Sequence, residues 1–268
     1  MAQNLKQAYR TIMDDHFPDQ MEISFVFDDR RSTLVYEKVA WEINGVRKGL
    51  RYGENPGQEA ALYKLVNGNL TVGDVTTIAP GRYLVSDAEL LQFGKHPGKI
   101  NLTDADNALN ILRYLPECPT AVVVKHNNPA GVATGDTISE AYIKADLADH
   151  VAAFGGCVAL NRAVDRATAE AISEQYAEVV VAPEYEEGTV AILGKRKNLR
   201  IMRINNIEKL STFSPERFVD FKSLMDGGMI LQQSPLNRIR SREDFVLAKA
   251  EYKGRTYAIE RKPTDEEY

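Results

Sequence analysis

The sequence predicts an α/β fold with helices on both faces of a central sheet. Strand-like and helix-like segments alternate four times between residues 104 and 204, which is typical of a mostly parallel sheet. Two apolar runs, AVVV at 121–124 and VVVA at 179–182, show no polar alternation, so these strands should be covered on both faces. Hydrophobic residues make up 44% of the 268 residues and charged residues 26%, as in a globular chain of one or two domains.

Residues 1–48 are predicted to form an N-terminal helix and hairpin extension. The apolar spacing favours a helix over 1–15, and strands are expected at 21–27 and 33–43. Asn44 and Gly45 then form a dipeptide typical of a tight turn. A Gly/Pro loop, RYGENPG, follows and runs into helix-like sequence.

Residues 49–204 are predicted to form the main domain. Helix periodicity covers 104–115, with Thr103 or Asp104 available as the N-cap, and further helices are expected at 138–150, 165–176 and 186–197. Buried strands are expected at 119–126, 157–161, 178–183 and 199–204. Residues 205–268 are strand-rich, and DGGMILQQ, REDFVLAK and TYAIERK are expected to be strands of a meander.

Charge and composition exclude several classes of function. A net charge of −5 without a basic tract makes sequence-independent nucleic-acid binding a poor fit. No run of about 18 apolar residues is present, so no membrane span is expected. The two cysteines, Cys118 and Cys157, form neither a zinc pattern nor a disulfide framework, which favours a reduced, cytoplasmic compartment.

The segment Lys125 to Gly131, KHNNPAG, is the most informative for chemistry. A histidine exchanges protons near neutral pH, and His126 is therefore a candidate general base. The neighbouring ammonium of Lys125 favours the neutral imidazole and could stabilise an oxyanion. We interpret Pro129 and Gly131 as residues that shape a ligand-binding loop, although an isolated Lys-His pair is more often a solvated strand end.

Three further segments are candidates for ligand binding. Arg51 can grip a phosphate and Tyr52 can stack or donate a hydrogen bond, although such a pair also occurs in exposed turns. Gly155, within the sequence FGG, allows close approach of a ligand, and Glu178 precedes a buried strand.

The remaining histidines have no supporting context and are predicted to lie at the surface; they are His16, His96 and His150.

At these motifs the sequence resembles the transformylase part of the AICAR transformylase/IMP cyclohydrolase family. The family patterns R-Y-G-x-N-P, K-H-x-N-P-x-G and F-G-G, with an acidic residue before an apolar A-P strand, occur here in the same order. They correspond to residues 51–56, 125–131, 154–156 and 178–183. The resemblance covers roughly residues 49–268. The sequence departs from the family pattern in two places: the family has histidine at the position of Gly57, and it reads G-K-x-L-S-Y-N-N where this chain has Gly94 to Asn101, so the Ser-Tyr-Asn part is lost.

The resemblance implies a fold, a reaction and a role for each site residue. The fold would be the three-layer, cytidine-deaminase-like one, without zinc or another metal. Formyl would pass from 10-formyltetrahydrofolate to the 5-amine of the nucleotide AICAR. His126 would take the proton from this amine and Lys125 would stabilise the transition state. Arg51 and Tyr52 would hold the nucleotide, and Gly155 and Glu178 would contact its base or ribose.

The resemblance also implies partners. The family's cyclohydrolase domain is not expected within residues 1–48, and residues 205–268 would lead to a second transformylase half that another copy or chain would supply. We therefore expect a homo-oligomer or a hetero-assembly. Three alternatives stay open: a non-catalytic subunit that binds AICAR or a related purine nucleotide, an IMP cyclohydrolase, and a scaffold subunit.

Overall fold

The computed structural model describes residues 12, 15–68, 70–73, 75–76, 81–237, 239 and 241–265. The chain divides into two compact units, one ending at Ser214 and one beginning at Pro215. Most of the helix predicted over 1–15 lies outside the described residues. Within the described part of the chain, every helix is too short or too polar to cross a membrane.

An antiparallel three-stranded sheet opens the first unit. Its order is β1-β2-β5, and the strands are β1 (Gln20–Val26), β2 (Arg31–Val39) and β5 (Leu62–Asn67). Two small hairpins accompany it: β3 (Trp41–Ile43) with β4 (Val46–Lys48), and β6 (Thr71–Val72) with β7 (Val75–Thr76). The predicted turn at Asn44 and Gly45 is confirmed, because both residues have positive φ and join β3 to β4. The helix-like reading after the RYGENPG loop is wrong, since β5 follows it.

A six-stranded sheet of order β10-β9-β11-β12-β13-β8 forms the centre of the unit. Its strands are β8 (Glu89–Gln92), β9 (Thr120–Lys125), β10 (Asn128–Thr134), β11 (Cys157–Leu160), β12 (Val179–Ala182) and β13 (Arg200–Arg203). The α/β class and a mixed sheet are confirmed, but the prediction that this sheet is mostly parallel is wrong. Only β11–β12 and β12–β13 pair in parallel; the other three pairings are antiparallel. The reason is that β9 continues through a tight hairpin into β10 and not through a helical crossover.

Helices cover both faces of this sheet. They are α1 (Lys99–Leu112), α2 (Ile138–Ala148), α3 (His150–Ala153), α4 (Arg166–Glu174) and α5 (Thr189–Leu193). Successive side chains of β9 enter different cores: Ala121 and Val123 pack with α2, α4 and α5, whereas Val122 and Val124 pack with α1. The fully buried strands therefore lie between two apolar layers, as the runs without polar alternation predicted.

Helix α1 begins five residues before the predicted start. Gly98 is its N-cap, and its N–H donates to Oδ1 of Asn101 at 3.0 Å. Thr103 and Asp104, predicted as caps, lie inside the helix. The polar character of the first turn hid the true start, because Lys99 and Asn101 offer no apolar periodicity.

The second unit contains two separate two-stranded hairpins in its described residues. These are β14 (Val219–Ser223) with β15 (Met229–Gln233), and β16 (Lys249–Tyr252) with β17 (Arg255–Ala258). The predicted strand over REDFVLAK is wrong for most of its length, because Arg242–Asp244 form a 3₁₀ turn capped by Ser241 and a strand begins only at Lys249.

Candidate functional site

All six residues predicted for the site line one cavity of about 330 Å³ at an end of the central sheet. They come from four segments that are far apart in sequence, and the sheet brings them together. The predicted residues are Arg51, Tyr52, Lys125, His126, Gly155 and Glu178. Further lining residues come mainly from α1 and from the ends of β11 and β12, including Asn101, Asp104, Cys157 and Tyr176.

His126 lies in a hairpin turn, within the segment that we predicted to be a ligand-binding loop. It connects β9 to β10 together with Asn127, and both have left-handed backbones, with φ of 54° and 61°. Two left-handed central residues define a turn that favours Asn-Gly, so a histidine at the first position is conformationally costly. His126 is exposed at the tip of the β9–β10 hairpin and lines the cavity.

Gly131 does not serve the ligand loop that we predicted. It lies in β10, beside a register shift, where a Cβ would come within 1.8 Å of the Ala145 carbonyl oxygen. Glycine is required there because α2 packs directly on the strand backbone. The motif K-H-N-N-P-A-G therefore combines the turn that carries His126 with a packing position.

Helix α1 holds this turn through two polar side chains that the sequence did not single out as functional. Oδ1 of Asp104 accepts the Asn127 N–H at 2.7 Å, and Nδ2 of Asn107 donates to the Asn127 carbonyl at 2.7 Å. Burial raises the pKa of Asp104, against the opposing effect of the Asn127 and His126 backbone N–H groups. The contact spans 23 residues in sequence, so no local signal could reveal it.

Lys125 reaches toward the loop that carries Gly155. Its Nζ donates to the Phe154 carbonyl at 2.7 Å. An ammonium has three N–H donors, so this bond fixes the side chain and leaves donors that can face a ligand in the cavity. The lysine thus ties the tip of β9 to the FGG segment.

Arg51 and Tyr52 form a paired unit at the cavity wall. Nη2 of Arg51 donates to the Tyr52 hydroxyl at 2.7 Å, and the guanidinium carbon lies 4.3 Å from the centre of the Tyr52 ring. Arg51 is only 5% exposed, and burial is the main cause that lowers its pKa. A buried cation on a cavity wall favours an anionic ligand.

Gly155 has a left-handed backbone with φ of 77°, which suits glycine. Its N–H donates to the Tyr176 carbonyl at 2.6 Å, so this N–H is engaged within the protein. Phe154 packs against Tyr176 with ring centres 5.2 Å apart, which closes this side of the cavity.

Glu178 is held from two sides. Asn101 Nδ2 and Arg200 Nη1 each lie 3.3 Å from its Oε2. Arg200 is 1% exposed, whereas the Glu178 side chain is 39% exposed and faces the cavity. Neither partner was predicted, because both contacts join residues distant in sequence. The buried guanidinium orients the carboxylate and keeps its charge partly compensated.

His96 is buried, at 2% exposure, so its predicted surface position is wrong. Its Nε2 donates to the Gly49 carbonyl, its ring meets Trp41 edge to face, and its Nδ1 is buried. Burial, together with the charges of Arg51 and Arg200, lowers its pKa. The exposed His16 and the half-exposed His150 lie nearer the surface, paired with Glu59 and Asp146.

Two other features bear on the site. Among the described residues, no group of three or more His, Cys, Asp or Glu side chains is arranged to hold a metal ion. A larger and mainly apolar cavity of about 410 Å³ lies beside Leu62, Leu84, Leu102 and Phe213. It contains none of the six predicted residues, which all line the smaller, more polar cavity.

Comparison with known proteins identifies relatives over nearly the whole chain. The family model described as AICARFT/IMPCHase bienzyme matches residues 5–267. A bifunctional purine biosynthesis protein PurH from Caldicellulosiruptor saccharolyticus is 39% identical over 218 residues, covering 81% of this chain and 37% of the relative. The protein of the same name from Acetivibrio thermocellus is 35% identical over 262 residues, covering 98% and 42%. The chain thus spans about two fifths of the length of these relatives.

Proposed function

Because this chain belongs to the AICARFT/IMPCHase bienzyme family, we propose that it is the AICAR formyltransferase of purine biosynthesis, or one half of that enzyme. The reaction moves the formyl group of 10-formyltetrahydrofolate to the 5-amine of AICAR. The three-layer domain would be the cytidine-deaminase-like one of this family. The observation that carries the proposal is that all six residues predicted from the sequence motifs line one cavity.

The cavity walls suit a nucleotide of this kind. Arg51, buried and paired with Tyr52, supplies a cation for the phosphate. Glu178, oriented by Asn101 and Arg200, supplies an acceptor for base or ribose donors. Gly155 lines the same cavity as Glu178 and would let the base or the ribose approach the backbone closely.

The two groups proposed for the chemistry, the side chains of Lys125 and His126, lie at the tip of β9. The amine nitrogen of AICAR attacks the formyl carbon while the neutral imidazole of His126 takes a proton from that nitrogen. The Lys125 ammonium stabilises the negative charge on the formyl oxygen. The oxyanion then re-forms the carbonyl as the C–N bond to folate breaks, and the His126 imidazolium returns its proton to the departing N10 nitrogen of tetrahydrofolate, which restores the neutral imidazole. In this scheme, folate acts as a cosubstrate and no metal takes part.

A second candidate is a non-catalytic subunit that binds AICAR or a related purine nucleotide. The cavity itself supports it, because Arg51, Tyr52 and Glu178 would hold a nucleotide whether or not formyl transfer follows. In that case another chain or copy would complete the site. The two candidates predict the same nucleotide binding but differ in turnover.

The test has two stages. Isothermal titration of the intact chain with AICAR measures binding, and an assay with 10-formyltetrahydrofolate then measures formyl transfer, alone and with a chain carrying the family's second transformylase half. Transfer supports the enzyme, whereas binding without transfer in either setting supports the subunit. Absence of binding contradicts both, and conversion of formyl-AICAR to IMP would identify the cyclohydrolase instead.

A further inference from the structure

We propose that Asp104 is a positioning residue, whose carboxylate fixes the backbone of the His126 turn so that the imidazole meets the amine of AICAR. This inference rests on the proposed function and adds a residue to it. Asp104 would not touch the reacting atoms; it would act through His126.

The turn needs an external support because its sequence does not stabilise it. His126 and Asn127 both occupy left-handed backbone conformations, at φ of 54° and 61°. Such turns form readily with Asn-Gly, whereas a histidine side chain disfavours the first position. A turn with this sequence would populate other conformations unless the surrounding structure fixed it.

Asp104 provides this support from the facing helix. The consecutive N–H groups of a tight turn form a concave binding site for an anion, and here a carboxylate of the same chain fills it. Oδ1 of Asp104 accepts from the Asn127 N–H at 2.7 Å. The neighbouring His126 backbone N–H acts in the same sense, because it opposes the rise that burial causes in the pKa of Asp104. Asp104 is 5% exposed, so water competes little for these bonds.

Asn107 completes the support from the next turn of the same helix. Positions three apart lie on one helical face, so Asp104 and Asn107 reach the hairpin together. Asn107 donates to the Asn127 carbonyl at 2.7 Å while Asp104 accepts the Asn127 N–H. Both the N–H and the carbonyl of Asn127 are thereby held. This support fixes the direction of the neighbouring His126 side chain, which lines the cavity.

The test combines three variants with a matched control. Asp104→Ala removes the support, Asn127→Gly makes the turn intrinsically favourable, and the double variant carries both changes. Asp106→Asn is the control, because Asp106 lies on the same helix and lines the other cavity. The readouts are amide hydrogen exchange at residues 126 and 127 in the intact chain, and kcat and KM of the assembled transformylase.

We expect Asp104→Ala to speed exchange at both turn amides by about tenfold or more. It should lower kcat by about 10- to 100-fold and leave the KM for AICAR within about threefold. The double variant should recover most of the lost kcat, because the glycine restores the turn. Asp106→Asn should match the wild type in exchange at the turn.

An unchanged kcat in Asp104→Ala, or a loss that Asn127→Gly does not restore, would overturn the positioning role. If Asp104→Ala does not fold, Asp104→Asn keeps one acceptor oxygen and is judged by the same two criteria. Failure of the proposed function appears differently. The wild type would then transfer no formyl, while the exchange rates at the turn would still show whether Asp104 holds it.

Discussion

Replacing His126 with asparagine removes the proposed general base without disturbing the turn that carries it. Asparagine is among the residues that best tolerate a left-handed backbone, and the φ of His126 is 54°. The backbone contacts of the turn with Asp104 and Asn107 involve Asn127 and the peptide N–H groups, so the substitution leaves them in place. His126→Asn thus separates the chemistry of the imidazole from the stability of the hairpin.

The substitution should change the free energy of unfolding far less than it changes kcat. A histidine in a left-handed backbone conformation costs of the order of 1 kcal/mol. His126→Asn should therefore leave the free energy of unfolding at the wild-type value or raise it by up to about 1 kcal/mol. Loss of a general base should lower kcat by about 10²- to 10⁴-fold, equivalent to roughly 3–5 kcal/mol of barrier. The affinity for AICAR should stay within about tenfold.

Urea denaturation, titration with AICAR and the formyl-transfer assay of the assembled enzyme measure these three quantities. His126→Ala serves as the comparison, because alanine removes the same imidazole but tolerates the left-handed turn less well. Full transfer activity in His126→Asn would remove His126 from the chemistry. A loss of stability above about 2 kcal/mol in this variant would contradict our account of the turn.

Three further predictions concern the nucleotide, the packing of β10 and the buried histidine. Arg51→Ala should weaken AICAR binding by about 1.5–3 kcal/mol in calorimetry, the scale of a hydrogen bond to a charged group, and an unchanged Kd would contradict the phosphate contact. Gly131→Ala should lower the free energy of unfolding by about 2 kcal/mol or more, because its Cβ would meet the Ala145 carbonyl oxygen at 1.8 Å. Gly49→Ala is the control in the same denaturation experiment and should be tolerated, because the nearest atom to its Cβ would lie 3.6 Å away. Since burial lowers the pKa of folded His96 below its ordinary 6.5, the unfolded chain binds the proton first and His96 costs stability as the pH falls below about 6.5. His96→Asn should reduce this loss between pH 7.5 and 5.5, and an identical pH dependence in both proteins would refute it.

The sequence predicted the existence of the elements better than their pairing. The uninterrupted apolar runs of β9 and β12 require burial on both faces, and the structure places them between two cores. Strand direction was harder to predict, because the hairpin between β9 and β10 uses His126 and Asn127 in place of the usual Asn-Gly. Pro129, early in β10, further masked the strand.

In the site, too, residues within short motifs could be predicted, whereas residues that act through contacts distant in sequence could not. Residues in short motifs, such as Arg51 with Tyr52 and Lys125 with His126, were predicted because their chemistry is visible in a few adjacent letters. The residues that support the site were not predicted. They are Asp104, which holds the His126 turn, and Arg200, which orients Glu178. Their roles arise from contacts across 23 and 22 residues of sequence, which only the folded sheet defines.

Nuclear magnetic resonance of the His126 ring during titration with AICAR tests the central claim most directly. The ring signals are assigned by their absence in His126→Asn. We predict that AICAR shifts the His126 signals in the wild type, and that Arg51→Ala needs a higher AICAR concentration to produce the same shift. Saturating AICAR that leaves the His126 ring unchanged, or no binding at millimolar concentration, would contradict the placement of nucleotide and imidazole in one cavity.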